Sequence, residues 1–347
     1  MLYVTTRNLH DPQTTPRALG DDRGADGGLF LPFQMPVFTK ENVSAFAEKS
    51  FGECVADVLN LFFACRLNGA DVDFCIGRNA VQQTQMNHRI VIAELWHNIG
   101  NSYEWAEQKL AEKICISLGC EVKLTSWLRI AIRIAVLCGI FGQLLRDGLV
   151  SFGNAIDVAV AVEDFSAVMS VWYCRQMGLP IGNIICSCNE NSGIWELLHL
   201  GELHTDAAAM NTTTPRGDMT VPVELERLIH GALGMDEAIR FVDVCEKGRI
   251  YRPHADLLGN LKKGMFSAVV SRSRLDALIP SVYRTNSYIF GPYTALSYGG
   301  LMDYRAKTGE TRMALMIAER SPICDSSVVM SSMRMTYGQL KSELDKA

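Results

Sequence analysis

Two apolar segments joined by one helix-length segment constrain the fold of this chain more than any other feature. Residues 156–162 and 184–188 are strand-length runs of Ile, Val, Ala and Cys. Residues 164–177 between them have the length of a helix that ends at Gly178. A strand–helix–strand unit of this kind pairs its strands in parallel. The sequence therefore predicts an α/β protein with a parallel, helix-flanked sheet.

Further segments fit this class. Strands are predicted within residues 87–96 and 313–318, and helices within residues 41–67, 104–118, 125–146, 222–230, 236–245, 293–308 and 335–346. The helix over residues 125–146 is strongly apolar, but Arg133 and two glycines interrupt it. This pattern favours a buried core helix over a membrane span, with Arg129 and Arg133 on one side.

Composition narrows the classes of function. The 347 residues suffice for two domains and a substantial core. The net charge of −5 and the scattered aromatic residues give no basic surface for a nucleic acid. Arg7 and Asp11 interrupt any apolar stretch of a secretory signal, so we expect a cytoplasmic protein without membrane association.

The cysteines predict buried thiols rather than a metal centre. There are eleven of them at irregular spacing, which is typical of small buried side chains in a reducing compartment. Cys186 and Cys188 could present two thiols on one strand face, with His199 and His204 as further candidate zinc ligands. No second cysteine pair has finger-like spacing, so we predict no metal site.

Short motifs occur in order from the first residue to about position 325. They are M-L-Y-V-T-T-R at 1–7, D-G-G-L-F-L-P at 26–32, E-L-W-H-N-I-G-N-S-Y-E-W at 94–105, S-W-L-R-I at 126–130, M-G-L-P-I-G at 177–182, N-E-N at 189–191, T-P at 214–215 with the segment 218–228, P-Y-T-A at 292–295 and I-A-E-R-S-P at 317–322. This series resembles the motifs of the threonine synthases, a family of pyridoxal-phosphate (PLP) enzymes. The resemblance implies the tryptophan-synthase-β-like architecture known as fold type II.

The chemical positions of that family are altered here. The resemblance places Glu104 where the PLP-anchoring lysine is expected and His97 at the histidine of the same motif. A carboxylate cannot form the Schiff base that a lysine amine forms with PLP. Lys109 and Lys113 follow on the same predicted helix, but the helical step of about 100° per residue and their distance along the axis keep both away from position 104.

The glycine-rich phosphate loop of the family aligns with residues 161–167. Glu163 and Ser166 replace its two glycines, and Asp164 adds a second carboxylate. Backbone N–H groups must approach the phosphate closely in such a loop, and carboxylates repel a phosphate dianion. We expect Asp164 to cap a helix over residues 165–177 instead. The resemblance also places Glu319 beside the pyridine ring and Glu224 in the cleft.

A subdomain expected between the lysine helix and the S-W-L-R-I helix is missing. We therefore expect a reduced cofactor subdomain within residues 1–122 and a larger α/β domain over residues 123–347. If the ancestral geometry persists, the five carboxylates converge, and three uses are open: a divalent cation, a cationic ligand or acid–base chemistry. The alternative is drift, with each carboxylate solvated or capping a helix and with His97 structural.

Three functions remain open. The first is a non-catalytic relative of threonine synthase that holds no PLP and binds a small ligand or a protein partner, including a second copy of itself. The second is an active threonine synthase, which converts O-phosphohomoserine to threonine and phosphate with PLP. The third is a decayed homologue without function, against which the well-patterned apolar segments argue.

Overall fold

The computed structural model describes residues 1–78, 81–98 and 100–346, so Ile99 of the 94–105 motif and Ala347 lie outside the described residues. The strands are β1 (Leu2–Thr5), β2 (Asn8–Thr14), β3 (Phe30–Pro32), β4 (Gln82–Asn87), β5 (Ile90–Glu94), β6 (Ile156–Ala161), β7 (Ile181–Cys188), β8 (Leu203–His204), β9 (Ile250–Tyr251), β10 (Met265–Val269) and β11 (Ala314–Ala318).

The helices lie on both faces of the main sheet. They are α1 (Thr15–Gly20), α2 (Lys40–Ala45), α3 (Phe51–Phe63), α4 (Gly69–Ile76), α5 (Tyr103–Leu118), α6 (Ser126–Arg146), α7 (Ser166–Gln176), α8 (Gly193–His199), α9 (Leu225–Leu233), α10 (Met235–Glu246), α11 (Leu258–Lys262), α12 (Arg272–Asn286), α13 (Pro292–Thr308), α14 (Ser326–Met333) and α15 (Tyr337–Leu344).

The main sheet has six strands in the order β10-β7-β6-β11-β5-β4. All its pairings are parallel except β4 with β5, which is antiparallel. β6, α7 and β7 form the predicted strand–helix–strand unit, and the α/β class with a mostly parallel sheet is confirmed. A three-stranded sheet β2-β1-β3 and a two-stranded sheet β8-β9 complete the structure.

Side chains of the central strands alternate between two cores. Val91 and Ala93 of β5 pack into the larger core, which contains α3, α5, α6 and α7. Ile90 and Ile92 pack into a second core with α12 and α13. β11 pairs with β5 in register, with Ala318 opposite Glu94. Because successive strand residues point to opposite faces, Glu94 belongs to the second-core side and Glu319, one residue beyond Ala318, to the other side.

α6 is the one helix in the described part of the chain that is long and apolar enough to cross a membrane, and 83% of its most apolar window is buried inside the protein. It packs on α3 and α7. The prediction of a buried core helix is therefore confirmed. Only residues 119–125 connect α5 to α6.

The amino-terminal arm is held by the Glu226–Arg227 pair of α9. Glu226 accepts hydrogen bonds from Thr6 and from Arg7 Nε (3.0 Å), and Arg227 Nη2 donates to the Phe30 carbonyl (2.8 Å). Strands from both sides of the expected boundary at residue 122 pair in the six-stranded sheet. The division into domains remains an expectation.

Candidate functional site

The carboxyl ends of β5, β6 and β11 meet at one edge of the sheet, where ligands bind in open α/β folds. Backbone hydrogen bonds fix the segments that follow these strands. Tyr103 N donates to the Glu319 carbonyl (2.7 Å), and Ser321 N donates to the Asn101 carbonyl (2.9 Å). These bonds hold the first turn of α5, and with it Glu104, beside the segment after β11.

Glu104 is paired with two arginines. Its carboxylate contacts Arg216 Nη1 and lies 3.5 Å from Arg320 Nη1. The side chain is 47% exposed, so one side of the pair faces solvent. Its place in the first turn of α5 also suits a negative charge, because the helix dipole is positive there. The carboxylate is therefore satisfied on this surface by charge pairing alone.

Glu163 is buried directly after β6 and accepts a hydrogen bond from Arg216 Nε. Arg216 thus bridges Glu163 and Glu104, which come from different segments of the chain. The next residue permits this close approach: a Cβ at Gly217 would lie 2.5 Å from the Val162 carbonyl oxygen. Glycine is required there, because any side chain would lift the loop off the end of the strand.

Asp164 does not cap α7 in the predicted way. The N-cap residue is Phe165, which is buried and has a left-handed backbone with φ 69°. Asp164 instead accepts a hydrogen bond from the Ser166 amide (3.0 Å) and pairs with Arg129 Nη1 (2.6 Å). The prediction was wrong about the capping residue because the chain turns one residue later than expected. A carboxylate still lies at the amino end of α7.

Glu319 is paired with a buried arginine of α6. Arg133 Nη1 and Nη2 both donate to Glu319, the latter at 3.0 Å, and Arg133 Nε donates to Glu107 at 2.7 Å. Burial raises the pKa of Glu107 to about 7, although Arg133 and Arg129 favour its charged form. The cavity that remains beside Tyr103, Arg133 and Glu319 has a volume of about 10 Å³. That is room for about one water molecule.

These side chains form two adjacent clusters of ion pairs, which together are called the arginine–carboxylate network. One cluster contains Glu107, Asp164 and Glu319 with Arg129 and Arg133, and the other contains Glu104, Glu163 and Asp325 with Arg216 and Arg320. Six carboxylates therefore face four guanidinium groups, and burial raises the pKa of Glu163 well above its ordinary value. A network with an excess of carboxylates holds a proton more readily than a balanced one does.

The arginine partners argue against a metal ion or a cationic ligand at these carboxylates. Within residues 1–78, 81–98 and 100–346, no group of three or more His, Cys, Asp or Glu side chains could hold a metal ion. The carboxylates already have guanidinium partners, so a bound cation would have to displace an arginine. Drift with solvated side chains is an equally poor description, because Glu107, Glu163 and Glu319 are shielded from solvent and specifically paired.

Glu224 lies outside the network. Its carboxylate pairs with Arg227, three residues later, and both side chains are buried. It does line a cavity of about 440 Å³ that also contacts Asp164, Ser166 and Arg129. The structure thus brings Glu104, Glu163, Asp164 and Glu319 together, whereas the charge of Glu224 is neutralised within its own helical turn.

His97 also lies away from the network. Its Nε2 is 2.5 Å from Glu94 Oε2, and its ring stacks on Trp96 with centroids 3.9 Å apart. Both residues line a separate cavity on the second-core side of the sheet. The motif histidine and Glu104 are thus seven residues apart in sequence but belong to two different sites.

Sequence reasoning missed four members of the network: Glu107, Arg216, Arg320 and Asp325. Arg216 and Arg320 lie in irregular segments, where no periodicity indicates a partner. Glu107 carried a signal, since it lies one turn beyond Glu104 on the predicted helix while Arg133 interrupts an apolar helix. A buried arginine requires a buried carboxylate.

Comparison with known proteins agrees with this fold. The family model described as threonine synthase N terminus matches residues 2–79. Threonine synthase-like 1 of Homo sapiens is 24% identical over 175 residues, which is 50% of this chain and 24% of that protein. The protein of the same name from Mus musculus is 24% identical over a segment of the same length. The matched segment spans about a quarter of these relatives.

Solved threonine synthases have the same fold. The PLP-bound enzyme from Brucella melitensis superposes with a TM-score of 0.84 at 18% identity, over 96% of this chain and 91% of that one. The yeast enzyme gives a TM-score of 0.82 at 15% identity, over 99% of this chain and 94% of that one. The ordered motifs, the amino-terminal match, these relatives and the shared fold together support membership of the threonine synthase family.

Proposed function

We propose that this chain is a non-catalytic member of the threonine synthase family that does not bind PLP and acts by binding another molecule in the cytoplasm. The observation that carries the proposal is the pairing of Glu104, at the expected lysine position, with Arg216 and Arg320. A carboxylate held between two guanidinium groups supplies neither the amine for an imine nor the base that the amine provides.

The neighbouring lysines do not replace this amine. Lys109 Nζ pairs with Glu112 (3.0 Å) and Lys113 Nζ with Asp71 (2.9 Å), so both side chains are directed toward partners outside the network. The cations that contact Glu104 are arginines, whose guanidinium groups stay protonated and do not act as amine nucleophiles. The side chains present at this position therefore do not fit covalent attachment of PLP.

The phosphate loop fits PLP no better. Glu163 places a carboxylate where the family has glycine, and Asp164 already accepts the Ser166 amide that a phosphate would need. The nearby Arg129 and Arg216 could attract an anion, but each is paired with a carboxylate. A phosphate would have to separate these pairs and leave buried negative charge without a partner, which is strongly unfavourable.

The space expected for the ring is also filled. Arg133 and Glu319 form a bidentate pair, and the cavity beside them holds no more than about one water molecule. A pyridine ring would have to expel the Arg133 guanidinium, which also holds Glu107. Loss of the amine, the phosphate loop and the ring space together support a binding protein rather than an enzyme.

The proposal is tested by mixing purified protein with PLP and recording imine absorbance, then treating with borohydride and weighing the intact chain. We expect no stoichiometric pyridoxyl adduct on the wild type. The variant Lys109→Ala serves as the control for incidental reaction of a surface lysine. Glu104→Lys should also form no specific adduct, because Glu163 and Arg133 remain; a stoichiometric adduct on either protein would contradict the proposal.

Two rival functions have distinct outcomes. Threonine synthase activity, suggested by the family, would show as rescue of a threonine auxotroph by this chain, and we expect no rescue. A decayed homologue would unfold without cooperativity or fail to fold. The two continuous cores and the capping boxes of α2, α3, α4 and α15 lead us to expect a single cooperative unfolding transition instead.

The cytoplasmic location rests on the cysteines. All eleven are free, and eight of them are buried. Burial raises the pKa of the thiols of Cys65 and Cys75 to about 11, so they remain protonated and unreactive at neutral pH. Fractionation of cells that express the chain, together with thiol counting under denaturing conditions, should give a soluble protein with every thiol reduced.

A further inference from the structure

A cavity of about 450 Å³ lies between the edge strand β4, the segment after β5 and the carboxyl-terminal end of α12. This volume is within the range of roughly 300 to 1,000 Å³ found for small-molecule sites. None of its lining residues belongs to the arginine–carboxylate network, and it lies on the second-core side of the sheet. It is therefore a separate site.

The polar centre of this cavity is Glu94, which is 4% exposed. Its Oε1 accepts hydrogen bonds from Thr84 Oγ1 and Tyr288 OH, both at 2.7 Å, and its Oε2 lies 2.5 Å from His97 Nε2. Burial opposes ionisation, but the bonds from His97, Thr84 and Tyr288 outweigh it and lower the pKa of the carboxyl group. Glu94 is thus a buried carboxylate held by uncharged hydroxyls and one imidazole, without an arginine or lysine among its described partners.

The donors around Glu94 are already used. Thr84 and Tyr288 each have a single hydroxyl proton, and both protons go to Glu94, so only lone pairs remain on these oxygens. His97 Nε2–H donates to the same carboxylate, because an ionised carboxylate only accepts hydrogen bonds. Tyr283 likewise spends its hydroxyl proton on Glu343 (2.9 Å). These groups favour a ligand that supplies hydrogen-bond donors.

The charges of the lining residues also favour a ligand that supplies hydrogen-bond donors. The described lining residues include two carboxylates, Glu94 and Glu343, and no arginine or lysine. Lys346 reaches Glu343 from outside the lining (2.6 Å), so the charge available to a ligand is assigned to Glu94. An anionic ligand would face this carboxylate without a counter-charge, whereas a cation would pair with it.

The remaining walls are apolar. Trp96, Met86, Ile289 and Leu344 line the cavity around the polar centre. An indole ring stacked on an imidazole, as Trp96 is on His97, gives a flat wall that suits a ring or a short hydrocarbon chain. The cavity thus combines acceptors at its centre with an apolar periphery.

We propose that this cavity binds a small molecule that carries a protonated amino group on an apolar, ring-sized body, with the ammonium directed to the Glu94 group. The ligand class follows from three features: an ionised buried carboxylate, hydroxyls whose protons are already committed, and an aromatic wall. This inference goes beyond the proposed function and does not rest on it, because it would hold whether or not PLP binds to the network.

Isothermal titration with 2-phenylethylamine as the probe tests the proposal, and 2-phenylethanol serves as the uncharged probe of nearly the same shape. We expect the amine to bind at least roughly tenfold more tightly than the alcohol, since hydrogen bonds to a charged group contribute about 1.5–3 kcal/mol. Equal affinity for the two probes, or no measurable binding of the amine, would overturn the proposal.

Substitution of Glu94 tests whether the amine binds in this cavity. Glu94→Gln should weaken binding of the amine roughly tenfold or more while leaving the alcohol unchanged. The matched control is Glu202→Gln, which removes a carboxylate that pairs with Arg252 on the surface, and it should bind as the wild type does. Retention of full amine affinity in Glu94→Gln would show that the probe binds elsewhere.

A second variant keeps the test decisive if Glu94→Gln fails to fold. Gln82 lies on the edge strand opposite Glu94, is exposed and lines the cavity, so Gln82→Trp should fold while its ring occupies the space. We expect this variant to lose binding of the amine. Unchanged binding in a folded Gln82→Trp protein would assign the probe to another surface and refute the site.

Discussion

Two buried carboxylates near the same end of the sheet, Glu319 and Glu94, are held by different kinds of partner. In the pairing of β5 with β11, Glu94 lies opposite Ala318, the residue before Glu319. Glu319 follows β11 and is locked by the Arg133 guanidinium, whereas Glu94 ends β5 and is held by two hydroxyls and an imidazole. In the first group the charge is neutralised and the space closes to about 10 Å³; in the second the charge persists beside a cavity of about 450 Å³.

The difference shows how the choice of partner decides what a buried acid can do. A guanidinium fork saturates a carboxylate and leaves nothing for a ligand. Hydroxyl partners stabilise the anion without cancelling its charge, so electrostatic attraction for a cation remains. The alternation of β5 and β11 keeps the two groups on opposite faces of the sheet, and each can vary without the other.

The largest expected effect on stability comes from removing Arg133, the partner of Glu319 and Glu107. Arg133→Met should lower the free energy of unfolding by about 3–5 kcal/mol, because Glu319 then remains buried without a counter-charge and Glu107 keeps only Arg129 as a partner. Urea denaturation measures the loss. Arg252→Met removes an exposed arginine from its pair with Glu202 and should cost less than about 1 kcal/mol. Similar losses in the two variants would refute the buried network.

The contributions of Glu107 and Glu94 to the free energy of unfolding should change with pH in opposite directions. Burial raises the pKa of Glu107 from 4.5 to about 7, so between these values the folded chain binds more protons than the unfolded chain. Its contribution to stability therefore falls as pH rises, by at most about 3 kcal/mol over the window. The pKa of Glu94 is lowered despite its burial, through its hydrogen bonds, and its contribution is lost as pH falls through that lowered value.

Paired variants isolate these contributions. In urea unfolding from pH 4 to pH 8, Glu107→Gln should lose the decline with rising pH, whereas Glu94→Gln should lose the decline toward acid. If the slope of unfolding free energy against pH changed in the same direction in both variants, Glu107 and Glu94 would not differ as expected. The wild type shows the sum of both contributions and serves as the common reference.

A smaller effect on stability is expected from removing one of the hydroxyl groups that bond Glu94. Tyr288→Phe removes a donor to the ionised Glu94 and should lower the free energy of unfolding by about 2 kcal/mol. Tyr283→Phe is the matched change at the rim, where Glu343 also pairs with Lys346, and should cost less. Thermal or urea unfolding compares the two, and the reverse order would contradict a central role for Glu94.

The smallest effect should follow from a lysine of α5 that lies on the opposite side of the helix from Glu104. Lys113→Ala removes an exposed pair with Asp71 and should leave the free energy of unfolding nearly unchanged. It should react with PLP no differently from the wild type. A larger loss, or a new adduct, would mean that α5 presents a different face to the network.

The sequence was informative where structure is periodic. The strand–helix–strand unit and the long helix α6 were predicted within one to three residues, because apolar spacing reports burial directly. Their partners were not predictable in this way. Arg216 and Glu163 are 53 residues apart, and a close approach at Gly217 brings them together.

Two errors in the site have local causes. The capping residue was misplaced because Phe165, an unusual residue for a left-handed backbone, makes the turn that Asp164 was expected to make. The convergence of Glu224 failed because an arginine three residues later neutralises it first. Short-range pairing of this kind competes with any inherited geometry, and a motif comparison does not reveal which of the two prevails.

The bridge made by Arg216 has a consequence for the history of the chain. With this side chain bound to both Glu104 and Glu163, a mutation that brings back lysine at position 104 places a new cation next to two existing ones. A free lysine amine at this position therefore needs further substitutions at Arg216 and Glu163, because a single change leaves buried charge without its partner. Because these ion pairs depend on one another, substitutions that keep them are tolerated more easily than substitutions that remove one partner.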